Sequence, residues 1–233
     1  FGYLWEERTA EYEPGKTYAA DTVTKYSEPI NSKNLPVGVS TRRLGISAEK
    51  ATTNASGIQI AKSLGFGSYE VILKGRLDGL DPSIAVAVFL HNDDLSVKKR
   101  IEVDFEASLW NDPNHPDGFS AGFFVNSARP PQSPKPLLSR SRGFLYHKIT
   151  LFQSPVACSV VYEGWRESDQ RWINSSSGNW ANIDSTDIGL LRISVWRFAE
   201  QMYPPALSQP AKVAIAGFKF TPILYNPITE GTK

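Results

Sequence analysis

The chain has 233 residues, of which 41% are hydrophobic and 21% are charged, so it has enough apolar material for one large globular core. A formal net charge of +1 gives no reason to expect a nucleic acid or an anionic membrane surface as a partner. One cysteine and three histidines exclude an internal disulfide and a cysteine-based zinc motif, and no apolar run is long enough to span a membrane.

Residues 1–50 are polar and carry few regular patterns. Turn signals stand at residues 13–15, which read Glu-Pro-Gly, and at residues 34–36, which read Asn-Leu-Pro. Short apolar pieces such as residues 38–40 leave room for brief strands. We therefore interpret this part as an irregular N-terminal segment of the same domain.

From residue 57 onward, short runs rich in Val, Ile, Phe and Tyr alternate with clusters of Gly, Pro, Asn and Asp. No segment shows an apolar stripe of helical spacing over two or more turns. The pattern predicts nine strands, at residues 57–62, 67–77, 83–91, 100–108, 118–126, 145–153, 156–163, 189–198 and 212–221. Their regular spacing predicts an all-β fold, an antiparallel β-sandwich forming a single domain over residues 1–233.

The segments between these strands are predicted to be loops. They cover residues 111–117, the proline-rich residues 128–136, residues 167–187, residues 201–210 and the tail at 222–233. Cys158 lies inside a predicted strand, and we expect a small buried hydrophobic side chain there rather than a nucleophile.

The predicted strand at 100–108 has an unusual polar face. From Ile101 to Trp110, apolar residues alternate with Glu102, Asp104, Glu106, Ser108 and Trp110. Three carboxylates on one face of a strand repel each other and have poor strand propensity. This arrangement is typical either of a solvated edge strand that resists aggregation or of a catalytic acid cluster.

The spacing of the acids suits the cleavage of glycosidic bonds. Glu102 and Glu106 have Cα atoms roughly 13 Å apart along a strand, and two side chains that lean toward each other can reach the ~5–5.5 Å separation of retaining glycosidases. Asp104 between them adds like charge, which favours a protonated acid beside an ionised nucleophile.

The stretch resembles the catalytic strand of glycoside hydrolase family 16, whose motif is Glu-x-Asp-x-Glu. Further stretches resemble other strands of this family in the same order over residues 57–221. They are residues 65–74, 83–90, 147–164, 191–196 and 213–220. Phe89 and Ser194 depart from the family, which often has Trp and Asn at these two substrate-contact positions.

The resemblance implies a jelly-roll sandwich like that of concanavalin A, with a concave substrate cleft. It implies a retaining, endo-acting hydrolase of β-linked polysaccharide in which Glu102 is the nucleophile, Glu106 the acid/base and Asp104 the residue that tunes them. Arg192, Ser194 and Trp196 on the predicted strand at 189–198 become candidate substrate-binding residues. Trp110 joins them because it shares the face of the acids.

Other functions remain open from the sequence. The same sandwich could be a carbohydrate-binding module with silent acids, a transglycosylase, or a structural domain without a glycan site. No cofactor is expected, and although the family sometimes carries calcium on its convex face, no run of ligand residues predicts a metal here. We expect a monomer that acts on polysaccharide in a secreted, periplasmic or cell-surface location.

Overall fold

The computed structural model describes residues 3–7, 23–27, 36, 42–48, 56–81, 83–92, 96, 99–108, 118–126, 137–138, 143–181, 183, 189–197 and 211–224. Fourteen strands lie in these ranges. They are β1 (Trp5–Glu7), β2 (Val23–Ser27), β3 (Arg42–Ala48), β4 (Ser56–Ile60), β5 (Gly67–Lys74), β6 (Ile84–His91), β7 (Ile101–Ala107), β8 (Phe119–Val125), β9 (Leu137–Leu138), β10 (Tyr146–Gln153), β11 (Ala157–Arg166), β12 (Arg171–Ala181), β13 (Leu190–Arg197) and β14 (Ala211–Pro222).

The strands form two seven-stranded antiparallel sheets. The first has the order β1-β4-β13-β6-β7-β8-β9, and the second has the order β12-β11-β10-β5-β14-β3-β2. The described ranges contain one short helix, a 3-10 turn at Leu77–Gly79, and no helix there is long and apolar enough to cross a membrane. The predicted antiparallel sandwich is therefore confirmed, and all nine predicted strands are present.

The core lies between the two sheets and takes every second side chain from each. Val86, Val88 and Leu90 enter it from β6, and Tyr69 and Val71 enter it from β5; each of these is at most 1% exposed. At roughly 1.5–3 kcal/mol for each large side chain fully buried, this layer is the main source of stability. Cys158 belongs to the same cluster and is 2% exposed, which confirms the expected buried thiol.

The second sheet contains a buried polar pair inside this core. His147 Nε2 lies 2.9 Å from the carbonyl oxygen of Gly75, and Nδ1 lies 2.9 Å from the hydroxyl of Tyr162. A carbonyl accepts only, so Nε2 carries the proton and Nδ1 accepts from Tyr162. Desolvation lowers the pKa of His147 to about 4, so the imidazole is neutral at pH 7.

One predicted loop was wrong. Residues 167–187 include strand β12, which pairs with β11 along its length. A tight turn at residues 167–170 connects the two strands. Asp169 accepts ion pairs from Arg166 and Arg171 at 3.1 and 3.3 Å across this turn. The Ser- and Asn-rich sequence of β12 has low strand propensity, but the edge of β11 supplies backbone hydrogen bonds that do not depend on side chains.

The N-terminal segment is more regular than predicted. Strands β2 and β3 extend the second sheet beyond β14, and β1 pairs with β4 at the edge of the first sheet. These strands are short or polar, so their own sequence carries little periodic signal. The loops predicted at 111–117, 128–136 and 201–210 lie outside the described residues, as does the tail beyond residue 224.

Candidate active site

Strand β7 carries the three predicted acids near the centre of the first sheet, between β6 and β8. Its apolar residues all enter the core, at 1% exposure or less; they are Ile101, Val103, Phe105 and Ala107. Because successive side chains of a strand point to opposite faces, Glu102, Asp104 and Glu106 lie on the face away from the core. Asp104 is 4% exposed, whereas the two glutamates are partly exposed on either side of it.

The register of the sheet places Asp104 in a row of facing residues. Its direct neighbours are Phe89 on β6 and Gly122 on β8. Beyond Phe89 come Arg192 on β13 and Gln59 on β4. Facing residues of an antiparallel sheet share a face, so this row crosses the candidate site from one side to the other.

Glu106 lies in the next row. Its neighbours are Ala87 on β6 and Ser120 on β8. Beyond Ala87 come Ser194 on β13 and Gly57 on β4. The side chains at these positions are small, and Ala87, Ser120 and Ser194 are each at most 5% exposed. The hydroxyl of Ser120 is buried and has no hydrogen-bond partner among the described residues, which leaves it available beside the acid.

Glu102 stands at the other end of the acid series and faces a histidine. His91 Nε2, at the end of β6, lies 3.8 Å from Glu102 Oε2. Arg192 Nη1 lies 3.3 Å from His91 Nδ1. A basic pair from two neighbouring strands therefore adjoins the predicted nucleophile.

Gly122 makes room for the central carboxylate. A Cβ atom at this position would lie 2.3 Å from Asp104 Oδ1, 2.4 Å from Asp104 Oδ2 and 2.6 Å from Cε2 of Phe124. No side chain larger than hydrogen fits there without moving Asp104. A glycine within a strand often marks such a close approach, so this signal was present in the sequence.

The predicted substrate-binding residues differ in their surroundings. Trp196 is partly exposed and faces Ala85, whereas Ser194 is 3% exposed and Arg192 is 1% exposed. All three lie on the face of the acids, two strands away from β7. Trp110 lies outside the described residues. A substrate contact for Arg192 stays a prediction, and its burial favours a role beneath the surface of the candidate site.

Sequence reasoning missed His91 and Gly122. His91 occurs at the end of a predicted strand, at a position that alternation places on the outward face of β6. From the sequence alone, this residue was considered only as a metal ligand. Within the described part of the chain, no group of three or more His, Cys, Asp and Glu side chains could hold a metal ion.

A concave region lies at one end of the other sheet. This cavity of about 350 Å³ is lined by residues 143–146 and 165–168. Its single carboxylate is Glu167, and the turn before β12 holds that residue at the surface. A pair of facing acids is absent from its lining, so the face of β7 remains the candidate active site.

Comparison with known proteins gives matches of structure. No protein-family model matches the sequence, and no curated protein sequence matches it. Among solved structures, a glycoside hydrolase family 16 endo-glucanase from Bacteroides ovatus has a TM-score of 0.62 and 12% identity, with 94% of each chain covered. The β-glucanase of Bacillus licheniformis has a TM-score of 0.56 and 14% identity, over 95% of this chain and 98% of that one.

A third similar structure is a Mycobacterium tuberculosis protein described as an immunostimulatory antigen and pseudo β-1,3-glucanase. Its TM-score is 0.50 and its identity is 14%, over 93% of this chain and 100% of that one. The three proteins share one architecture with this chain and differ in activity. The likeness covers nearly the whole chain in each case, and it confirms the predicted resemblance at the level of fold: the protein has the jelly-roll β-sandwich of the family 16 glycoside hydrolases.

Proposed function

We propose that the protein is a retaining, endo-acting glycoside hydrolase that cleaves β-linked polysaccharide by double displacement. The observation that carries the proposal is the series Glu102, Asp104 and Glu106, at alternate positions on the face of β7 that points away from the core. The fold shared with glycoside hydrolases supports it.

In the first step, the Glu102 carboxylate attacks the anomeric carbon while Glu106 protonates the glycosidic oxygen that leaves. The product is a glycosyl ester of Glu102 and a shortened polysaccharide chain. In the second step, Glu106 takes a proton from water, the water oxygen attacks the same carbon, and the bond to Glu102 breaks. A sugar hydroxyl in place of water gives transglycosylation.

Asp104 lies between the two glutamates, and its neighbours support a tuning role. Three acids at successive outward positions cannot all be ionised cheaply, because like charges at close range disfavour one another. The burial of Asp104 on Gly122 fixes its carboxylate in the middle of the series. A proton shared within the series leaves Glu106 as the acid and Glu102 as the nucleophile.

The test uses a screen of laminarin, lichenan, agarose and carrageenan for new reducing ends. Glu102→Gln is expected to lower the rate on the responsive glycan by at least about 10³-fold, because the amide cannot act as the nucleophile. Glu167→Gln, an exposed glutamate in the turn before β12, is the matched control and should keep the rate. Unaltered turnover by Glu102→Gln would refute the assignment.

The stereochemistry provides a second readout. NMR of the first product formed should show the anomeric configuration of the substrate retained. An inverted product would exclude the covalent intermediate on Glu102. We expect the protein to act on polysaccharide as a monomer, in a secreted, periplasmic or cell-surface setting.

A second candidate function is carbohydrate binding without catalysis. Phe89 and Ser194 favour it, since the family often has Trp and Asn at these two substrate-contact positions. The similar mycobacterial protein described as a pseudo β-1,3-glucanase is consistent with such a loss. Affinity electrophoresis in the same four glycans separates the two functions, since retarded migration without any new reducing end supports binding alone.

A further inference from the structure

Two basic residues on the candidate face have no role in the proposed chemistry. His91 ends β6, and Arg192 lies on β13, the strand on the other side of β6 from β7. Together with Glu102 at the beginning of β7, they form a series across three adjacent strands at one end of the site.

Exposure to solvent increases along the series from Arg192 to Glu102. Arg192 is 1% exposed, the side chain of His91 is 10% exposed and that of Glu102 is 26% exposed. The guanidinium contacts the imidazole at 3.3 Å, and the imidazole reaches the carboxylate at 3.8 Å. A fully buried arginine is costly unless its guanidinium is paired and hydrogen-bonded.

The chemistry of the guanidinium determines the tautomer of His91. Arginine only donates hydrogen bonds, so its contact with Nδ1 requires a lone pair on that nitrogen. The neutral imidazole then carries its proton on Nε2, the atom that faces Glu102 Oε2. The direction of donation is therefore from Arg192 to His91 and from His91 toward Glu102.

We propose that His91, held by Arg192, is a positioning residue for the Glu102 nucleophile. The Nε2 proton binds one carboxylate oxygen, Oε2, and leaves Oε1 to attack the anomeric carbon. The distance of 3.8 Å is longer than a hydrogen bond and closes when substrate binds, as catalytic contacts in free enzymes commonly do. The inference rests on the proposed function, because it assigns the support of that nucleophile.

The groups that face the series on β7 and β8 are acidic or apolar. On β7, Asp104 and Glu106 carry negative charge themselves, and on β8 the residue facing Glu102 is Phe124. The buried guanidinium polarises the imidazole, and a hydrogen bond from such a donor to a carboxylate is stronger than a neutral one. The pair thus orients the nucleophile without providing a full positive charge that would weaken it.

Two substitutions of similar shape separate positioning from structural support. His91→Gln places an amide N–H near the position of Nε2 and keeps a donor for Glu102. His91→Asn places its amide near the position of Nδ1, so it can still pair with Arg192 but does not reach Glu102. Both remove the ring and both keep a polar side chain at the end of β6.

The readout is the split between kcat and KM on the responsive glycan. We expect His91→Asn to lower kcat by about 10- to 100-fold, the size of one hydrogen bond to a charged group, with a smaller change in KM. His91→Gln should be at least about tenfold more active than His91→Asn, because its donor is kept. Equal losses in the two variants, or no loss in either, would overturn the proposal.

A second measurement does not depend on activity. Nitrogen-15 NMR of the wild-type protein should show His91 as the neutral tautomer protonated on Nε2, assigned by the signal that His91→Gln removes. Glu102→Gln should shift the Nε2 resonance. A proton on Nδ1 would overturn the inference, whereas full activity of Glu102→Gln would overturn the proposed function instead.

Discussion

Strand β8 leaves no space for a side chain between Gly122 and the middle acid, and this makes Gly122→Ala a sensitive test. The added methyl carbon would lie 2.3 Å from Asp104 Oδ1, whereas ordinary contact begins near 3.4 Å. The carboxylate must therefore move by about 1 Å, because the nearby ring of Phe124 restricts movement of the methyl group. Overpacking of this kind costs about 1–3 kcal/mol of stability.

A displacement of about 1 Å within a catalytic constellation can lower the rate by about 100-fold. We expect Gly122→Ala to lose about this much kcat on the glycan found by the reducing-end screen, while thermal unfolding stays cooperative. Asp104→Ala provides the matched background, since it removes the atoms that the new methyl group would meet. In that background Gly122→Ala should have little further effect on kcat.

A folded Gly122→Ala protein with wild-type kcat would show that the position of Asp104 is unimportant for turnover. An equal loss in the Asp104→Ala background would show that the methyl group acts through Phe124 or the strand, and not through the acid.

Two further predictions concern the core. The pKa of His147 is about 4 in the folded protein and 6.5 in the unfolded chain, so the unfolded state binds more protons between these two pH values. The free energy of unfolding therefore falls by about 3 kcal/mol as the pH falls from 6.5 to 4. Urea titrations at pH 7 and 4.5 should show a smaller loss in His147→Asn than in the wild type, and equal losses would contradict the assignment. Burial raises the pKa of the Cys158 thiol to about 12, so a disulfide reagent at pH 8 should label it only at the rate of unfolding, and rapid labelling of the native protein would contradict its burial.

The strands that could be predicted share one property: each contributes alternate apolar side chains to the core. Strand β7 is an example, since its buried residues at 101, 103, 105 and 107 are all apolar. Strand β12 escaped prediction because its middle is rich in Ser and Asn, and among the side chains of β12 that the structure describes, Trp180 alone belongs to the main core. Its pairing depends on the exposed edge of β11, which no local pattern encodes.

The residues of the candidate site also differ in whether a local sequence pattern predicts them. Glu102, Asp104 and Glu106 belong to one strand, so a period of two was enough to place them on one face. The contacts of His91 and Arg192 cross between strands that are far apart in sequence, at 101 residues for that pair. Such contacts depend on sheet order and register, and a single sequence does not specify them.

By itself, the sequence determined the sandwich class, the nine strands after residue 56 and the outward face of the three acids, because alternation within one strand is a local property. Only the tertiary structure decided which strands are neighbours. It placed β13, β6, β7 and β8 side by side, brought Arg192 and His91 to Glu102, and set Gly122 beneath Asp104. The reason is physical: long-range strand pairing is selected by the packing of the whole core, and the site depends on that choice.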